Sequence, residues 1–276
     1  ASTTSVETTY TNGLNAFGTD GFTVGDSAYI NGSGNNIASW NWLANGAGSA
    51  NTAGSINTTV SVNTTSGFSI VKWTGNSTAG ETIGHGLGVT PKVVIIKRLS
   101  GSVQSWICKF PTATDGYLAL NTTDAISASS GWLPVSSSLI TLANNWSAYN
   151  NNGNDYIAYC FADVQGYSKF GSYTGNGSTD GTFVYTGFKP AFLMVKNAAA
   201  TGSWILTDTT RSTFNITSHM LQANASAAET TDAYFDILSN GFKVRSTSSY
   251  VGHAVNYIYM AFAEEPLVGD NPATAR

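Results

Sequence analysis

TGFKPAFLMVKN, residues 186–197, restates in altered letters a stretch met earlier in the chain, HGLGVTPKVVIIKR, residues 85–98. The likeness extends outward on both sides. From Gly67 the chain reads FSIVKWTGNSTAG, GLGVTPKVVIIKR, SWICKF, YLALNTT and DYIAYCFAD, up to Asp163. From Ser168 it reads KFGSYTGNGSTDG, TGFKPAFLMVKN, SWILTD, MLQANAS and NYIYMAFAE, up to Glu264. A period of about 100 residues is the size of a whole domain and far longer than a solenoid repeat. A third, partial copy opens the chain: VETTYTNGLNAFGTDGFTV, residues 6–24, resembles AETTDAYFDILSNGFKV, residues 228–244, and IASWNWLAN falls where YIYMAFAEE falls. The expected division is a partial repeat over 1–65 and two repeats over 66–165 and 166–276. A chain that starts in mid-repeat is either the end of a longer array, the preferred reading, or one whose opening half supplies strands to a neighbouring sandwich.

Each copy is written in strand language. GFSIVKW, PKVVIIKR, SWICKF and YIAYCFA are short runs rich in β-branched and aromatic residues, bounded by TGNG, SNG and TDG turn clusters. Pro91 and Pro190 stand where their strands begin, so a missing N–H costs the ladder little. No window holds the i, i+3, i+4, i+7 spacing of a three-turn helix. The expected fold is all-β: tandem antiparallel β-sandwich or jelly-roll-like repeats.

Val93 to Ile96, Ala191 to Val195 and Tyr257 to Phe262 are apolar at every position, whereas a strand with one wet face alternates. Something must cover the second face, whether the adjacent repeat, a sister subunit or a larger assembly. The expectation drawn from this is an oligomer or packed array.

Composition narrows the function classes. Of the 276 residues 42% are hydrophobic and only 10% charged, against about 25% charged in an ordinary globular chain. Twelve Lys and Arg are scattered through a chain of net charge −4, leaving no basic stripe for nucleic acid. No apolar run reaches the roughly 20 residues of a membrane helix, so membrane insertion is not expected.

Candidate chemistry is sparse. His85, His219 and His253 lack ligand spacing and read as isolated turn or surface histidines; no metal and no cofactor is expected. Cys108 and Cys160 stand where the other copy has Leu206 and Ala261, which favours buried free thiols over a bridge. No facing carboxylate pair, nucleophile elbow or phosphate loop is legible, so no enzyme is expected. Trp132, Trp146 and Tyr149 differ from the other aromatics, because GWLPVSSS and NNWSAYNNNGN have no counterpart in the last copy and read as loops. They are the candidate site, for a glycan, a receptor or a subunit interface.

GFSIVKWTGN, GHGLGVTPKVVIIKR, the run from YIAYCFADVQGYSKF to TGFKPAFLMVKN, DILSNGFKVR, YIYMAFAEEP and PATAR together resemble the repeat modules at the C-terminal ends of tailed-phage virion proteins, especially from marine and aquatic phages. The likeness covers essentially the whole chain. It implies a structural or adhesive role in a tail fibre, tail appendage or capsid-surface fibre, in the virion or outside the cell, with sister chains or other virion proteins as partners. It carries over no catalytic residue. The alternative is a module that binds or depolymerises host-envelope glycan.

Overall fold

The computed structural model describes residues 3–112 and 115–263. The chain is all-β, and every pairing between its named strands is antiparallel among the described residues. A hairpin of β1 (Leu14–Phe17) and β2 (Phe22–Val24) comes first, followed by one helical turn, α1 (Ala28–Asn31), whose start Ser27 caps by accepting from Tyr29 N.

Ten strands follow: β3 (Ser49–Asn51), β4 (Thr58–Asn63), β5 (Phe68–Thr74), β6 (Glu81–Gly84), β7 (Val93–Arg98), β8 (Ile107–Lys109), β9 (Gly116–Ala119), β10 (Ser127–Ala128), β11 (Leu139–Leu142) and β12 (Asp155–Phe161). Eight of them form one sheet in the order β10-β9-β8-β7-β12-β5-β4-β3, while β6 and β11 pair apart. β3 and β4 lie inside the opening 1–65 span, yet β4 joins this sheet through the register Thr59↔Lys72 to Asn63↔Phe68. The tight turn between β4 and β5 needs Gly67 at φ 65°, where a side chain would meet Ala162 O.

The second sheet contains β13 (Ser168–Thr174), β14 (Phe183–Tyr185), β15 (Pro190–Asn197), β16 (Ile205–Asp208), β17 (Thr217–Gln222), β18 (Thr230–Leu238), β19 (Gly241–Val244) and β20 (Asn256–Ala263), in the order β13-β20-β15-β16-β17-β18-β19-β14. β17 pairs with β16 at one end and with β18 at the other. The sheet thereby turns over on itself, and Phe235, Phe242 and Val244 share one cluster with Leu193, Val195 and Tyr257.

The wholly apolar strands obey period two, but with oil on both sides. In β7, Val94 and Ile96 enter a first cluster with Trp73, Ile83 and Ile140, while Val93 and Ile95 enter a different one. In β15, Leu193 and Val195 face the layer of β18 and β19, while Phe192 and Met194 face the other way. β20 alternates likewise, with Tyr257, Tyr259 and Ala261 on one side and Ile258, Met260 and Phe262 on the other. The residues left over on both sheets meet in one central cluster, Phe68, Val93, Phe110 and Phe161 against Phe170, Phe192, Met260 and Phe262. The second face of each sheet is thus covered by the other sheet within the same chain, the first of the three covers expected. Self-burial removes the need for another polypeptide on these faces.

The opening segment seals the seam. Trp40 and Trp42 pack against the central cluster, and the rings of Trp42, Phe161 and Phe262 close a triangle with centroid separations of 5.9, 5.3 and 5.9 Å. Two buried lysines tie the parts together. Lys97 Nζ donates to Thr4 O at 2.9 Å, and Lys196 Nζ donates to Asn197 O at 2.6 Å and Thr123 O at 3.3 Å.

Phe161→Ala should lower stability by about 3–5 kcal/mol in urea unfolding, because it opens a cavity where both sheets and Trp42 converge. Burial holds Lys196 down to about 8, with Asp124 opposing. Above that pH the unfolded chain carries more protons than the folded one, so stability should rise between about pH 8 and 10.5. Thermal midpoints across that window should show the rise, and Lys196→Met should flatten it.

Candidate functional site

Trp132, Trp146 and Tyr149 are brought together, though not as a surface. Trp132 is 2% exposed and Tyr149 is 0%. Trp132 Nε1 donates to Gly116 O at 2.9 Å, and Tyr149 OH donates to Asn144 Oδ1 at 2.7 Å. Trp146 is half-buried, its ring 5.6 Å from that of Tyr149 and 4.8 Å from that of Tyr117. The expected loop exposure is corrected: neither Trp132 nor Tyr149 offers a face on which a sugar could stack. The reason lies in the layer over the first sheet's inner face, where the Val135–Ile140 bridge and the β6–β11 pair stand as the Ile237–Phe242 and β14–β19 pairings stand over the second. Trp132, Leu133, Ala148 and Tyr149 fill that layer with Ile140 and Leu142. The expectation that the two stretches have no counterpart is corrected as well: with Val135–Ile140 matching Ile237–Phe242, Trp132 and Leu133 hold the places of Tyr234 and Phe235, and Trp73 Nε1 donates to Tyr149 O as Tyr173 OH does to Val251 O.

The other candidates are structural as well. Cys108 and Cys160 are free and buried, on opposite faces of the first sheet: one belongs to the central cluster, the other to the first. Burial pushes the Cys160 thiol up to about 12 and Cys108 higher still. His85 corrects the expectation of a turn or surface histidine, being 0% exposed. Its Nε2 lies 3.2 Å from Ser136 O, and its Nδ1 accepts from Leu87 N at 3.3 Å. A carbonyl only accepts, so the proton sits on Nε2 and the ring is neutral. Desolvation keeps its pKa below 6.5, against the smaller raising effect of Ser136.

Sequence reading passed over the loop that follows β16. It is longer than the corresponding connection after β8, and an ion network ties it down. Asp208 Oδ2 accepts from Arg211 Nε at 2.7 Å and from Trp40 Nε1 at 3.2 Å. Arg211 Nη1 donates to Glu229 Oε2 at 2.6 Å, His219 Nδ1 donates to Glu229 Oε1 at 2.8 Å, and the guanidinium lies 5.4 Å from the Trp40 ring centroid. Farther along, Asn215 Nδ2 donates to Ile237 O and its Oδ1 accepts from Ile237 N, both at 2.8 Å, in the manner of a strand neighbour. Between these anchors Phe214 stands 85% exposed. It overhangs a cleft of about 500 Å³ lined also by Lys189, Ser212, Asn215, Leu238 and Asn240.

A model described as a domain of unknown function (DUF7483) matches residues 1–266. The chain belongs to that family. No curated protein and no solved structure matches it.

In this DUF7483 chain, the site offers one aromatic face surrounded by hydroxyls, amides and a lysine, a donor set suited to holding a polyhydroxylated ring or a polar loop. Glu229 is held below the usual carboxylate range, first by the hydrogen bond from Arg211 and then by His219. It is therefore ionised at neutral pH and has no proton to deliver as a general acid.

His85 yields a testable pH dependence. Its folded pKa is depressed, so its contribution is intact above about pH 6.5 and is lost as pH falls below that value. Denaturation midpoints from pH 7.5 to 5 should drop for the natural chain and drop less for His85→Gln. Both thiols should stay silent to an aqueous thiol reagent until the chain is unfolded.

Proposed function

We propose that the chain is a structural or adhesive virion component, assembled from copies of one β-module whose loops vary while its strands are reused. The modular part of this reading is supported at the level of individual bonds. Strands β5, β12, β7, β8 and β9 neighbour one another in the order of β13, β20, β15, β16 and β17. Trp106 N donates to Asn121 Oδ1 at 2.8 Å, as Trp204 N does to Asn224 Oδ1 at 2.8 Å. Trp73 stacks on Tyr156 at 5.4 Å, as Tyr173 stacks on Tyr257 at 5.1 Å. Asn151 N donates to Tyr156 OH, as His253 N does to Tyr257 OH. Hydrogen bonds of this kind tie each copy's loops to its strands, so equivalence extends beyond the hydrophobic pattern.

The single observation that carries the reading is the burial of one module's sheet on the other's, a join made from strands and renewable along a chain. Together with the likeness to tailed-phage virion modules, it supports a role in building a virion appendage, with sister chains or other virion proteins as partners. Mass spectrometry of purified particles should recover the chain in stoichiometric amount, and antibody against it should label an external appendage. Absence from washed particles would overturn the virion role.

A second reading, contact with host-envelope glycan, is favoured by one observation, the bare ring of Phe214 over a polar cleft. Phe214→Ala should weaken binding to host polysaccharide about tenfold or more, since loss of a stacking ring costs on the order of 1–3 kcal/mol. The melting temperature should be unchanged because the ring packs on little. Equal binding by the natural and Phe214→Ala chains would remove glycan contact from this cleft.

A further inference from the structure

The opening segment stands to the first module as the first module stands to the second. Lys97 Nζ donates to Thr4 O, and Glu7 N donates to Leu99 O at 2.9 Å. One module on, Lys196 Nζ donates to Thr123 O, and Ile126 N donates to Ala198 O at 2.9 Å. Lys97 and Lys196 hold the same place in VVIIKR and FLMVKN, and the accepting and donating residues are three apart in both TTSVE and TTDAI. A head-to-tail contact is made twice with the same atoms.

The relation turns about an axis. Trp42, Phe161 and Phe262 occupy the same position in IASWNWLAN, YIAYCFAD and YIYMAFAE, and their rings form the closed triangle at the centre of the molecule. Three equivalent residues in mutual contact mark an approximate three-fold arrangement, in which residues 3–45 are the second half of a third module.

The first half of that third module has no representative among the described residues, and three features border its place. Residues 37–44 match β20, which in the second module lies between β13 and β15, but no strand flanks them among the described residues and they form none. The hairpin β1–β2 matches β18–β19, yet Leu14 and Phe22 are 47% and 41% exposed where Phe235 and Phe242 are 0%. Ser226 to Glu229 correspond to Thr123 to Ile126, the segment the first module sets on the lysine of the second, and they are exposed.

We infer that this open sector is a docking site for a polypeptide carrying the first half of the same module: strands of the β13, β15 and β16 type that flank residues 37–44 and cover Leu14 and Phe22. Its lysine, at the place of Lys97 and Lys196, donates to Ser226 O in the segment Ser226 to Glu229. The occupant is argued from the two sectors that are already filled, each by strands of this type. The inference rests on the modular reading above and is independent of the virion role, which the particle test decides separately.

The test is the full chain extended at Thr3 by a copy of residues 168–224, followed by hydrogen exchange. The amides of 37–44 and of 226–229 should exchange at least ~10-fold slower than in the natural chain, since added strand pairing protects both. A copy bearing Lys196→Met should protect 37–44 but not 226–229. Unchanged exchange at 37–44 in a folded extended chain overturns the proposal. The natural chain gives an independent reading: it should bind a hydrophobic dye, and Leu14→Asn with Phe22→Asn should abolish that binding without lowering the melting temperature. No dye binding, with residues 10–43 as protected as β12, would show the sector closed and overturn it. Self-association of the natural chain that protects 37–44 would overturn it too, by making a second copy the occupant.

Discussion

The structure depends on strands that have no wet side. β7, β12, β15 and β20 alternate as all strands do, but each alternation passes from one apolar cluster to another. A sheet of this kind cannot stand alone with a single covering layer, because Val93, Ile95 and Phe161 on one sheet and Phe192, Met260 and Phe262 on the other would then face water. Folding the chain so that the two bare faces meet removes both liabilities at once. It also makes the two sheets interdependent, since each one's second face is the other's cover.

That constraint explains how the parts are allotted. The layers over the inner faces are filled by different side chains: the hairpin β18–β19 brings Tyr234 and Phe235 to the second sheet, and the Val135–Ile140 bridge with β6 and β11 brings Trp132 and Leu133 to the first, beside Tyr149. The seam tolerates less, because it must fit two surfaces and Trp42 at the same time. The loop that carries Phe214 lies away from that seam. The network of Asp208, Arg211, Glu229 and His219 holds the Phe214 loop on the module beneath, and through Trp40 also on the opening segment.

Much of the all-β fold was legible because its signals are local. Turn clusters, β-branched runs and the two-sided apolar strands all act within a few residues, and the need to cover a second face follows from the letters PKVVIIKR and PAFLMVKN alone. What covers that face was not legible, since a neighbouring module and a sister chain bury the same area. The aromatic loops misled for a related reason. Exposure of Trp132 depends on the layer it joins, and the letters GWLPVSSS hide that Val135 and Ile140 bridge as Ile237 and Phe242 do. His85 escaped because Nε2 finds its partner in Ser136 O, far along the chain. Phe214 escaped because an exposed phenylalanine looks in sequence like a buried one.

Lys97 and Lys196 have a bearing on how the parts of the chain find register. Burying an ammonium is costly, and each of these residues is nearly or wholly enclosed, with Lys196 shifted far enough to reveal the strain on its charge. A methionine of similar length would fill the space without that penalty, but it would accept any apolar neighbour. The ammonium is satisfied only by carbonyl oxygens at defined points: Thr4 and Gln104 for Lys97, and Asn197, Thr123 and Ala200 for Lys196. A segment one residue out of step would present an N–H or a side chain instead and leave a buried charge unpaired, which costs several kcal/mol. The apolar seam therefore supplies the adhesion between the sheets, and the two lysines select the register in which adhesion is complete.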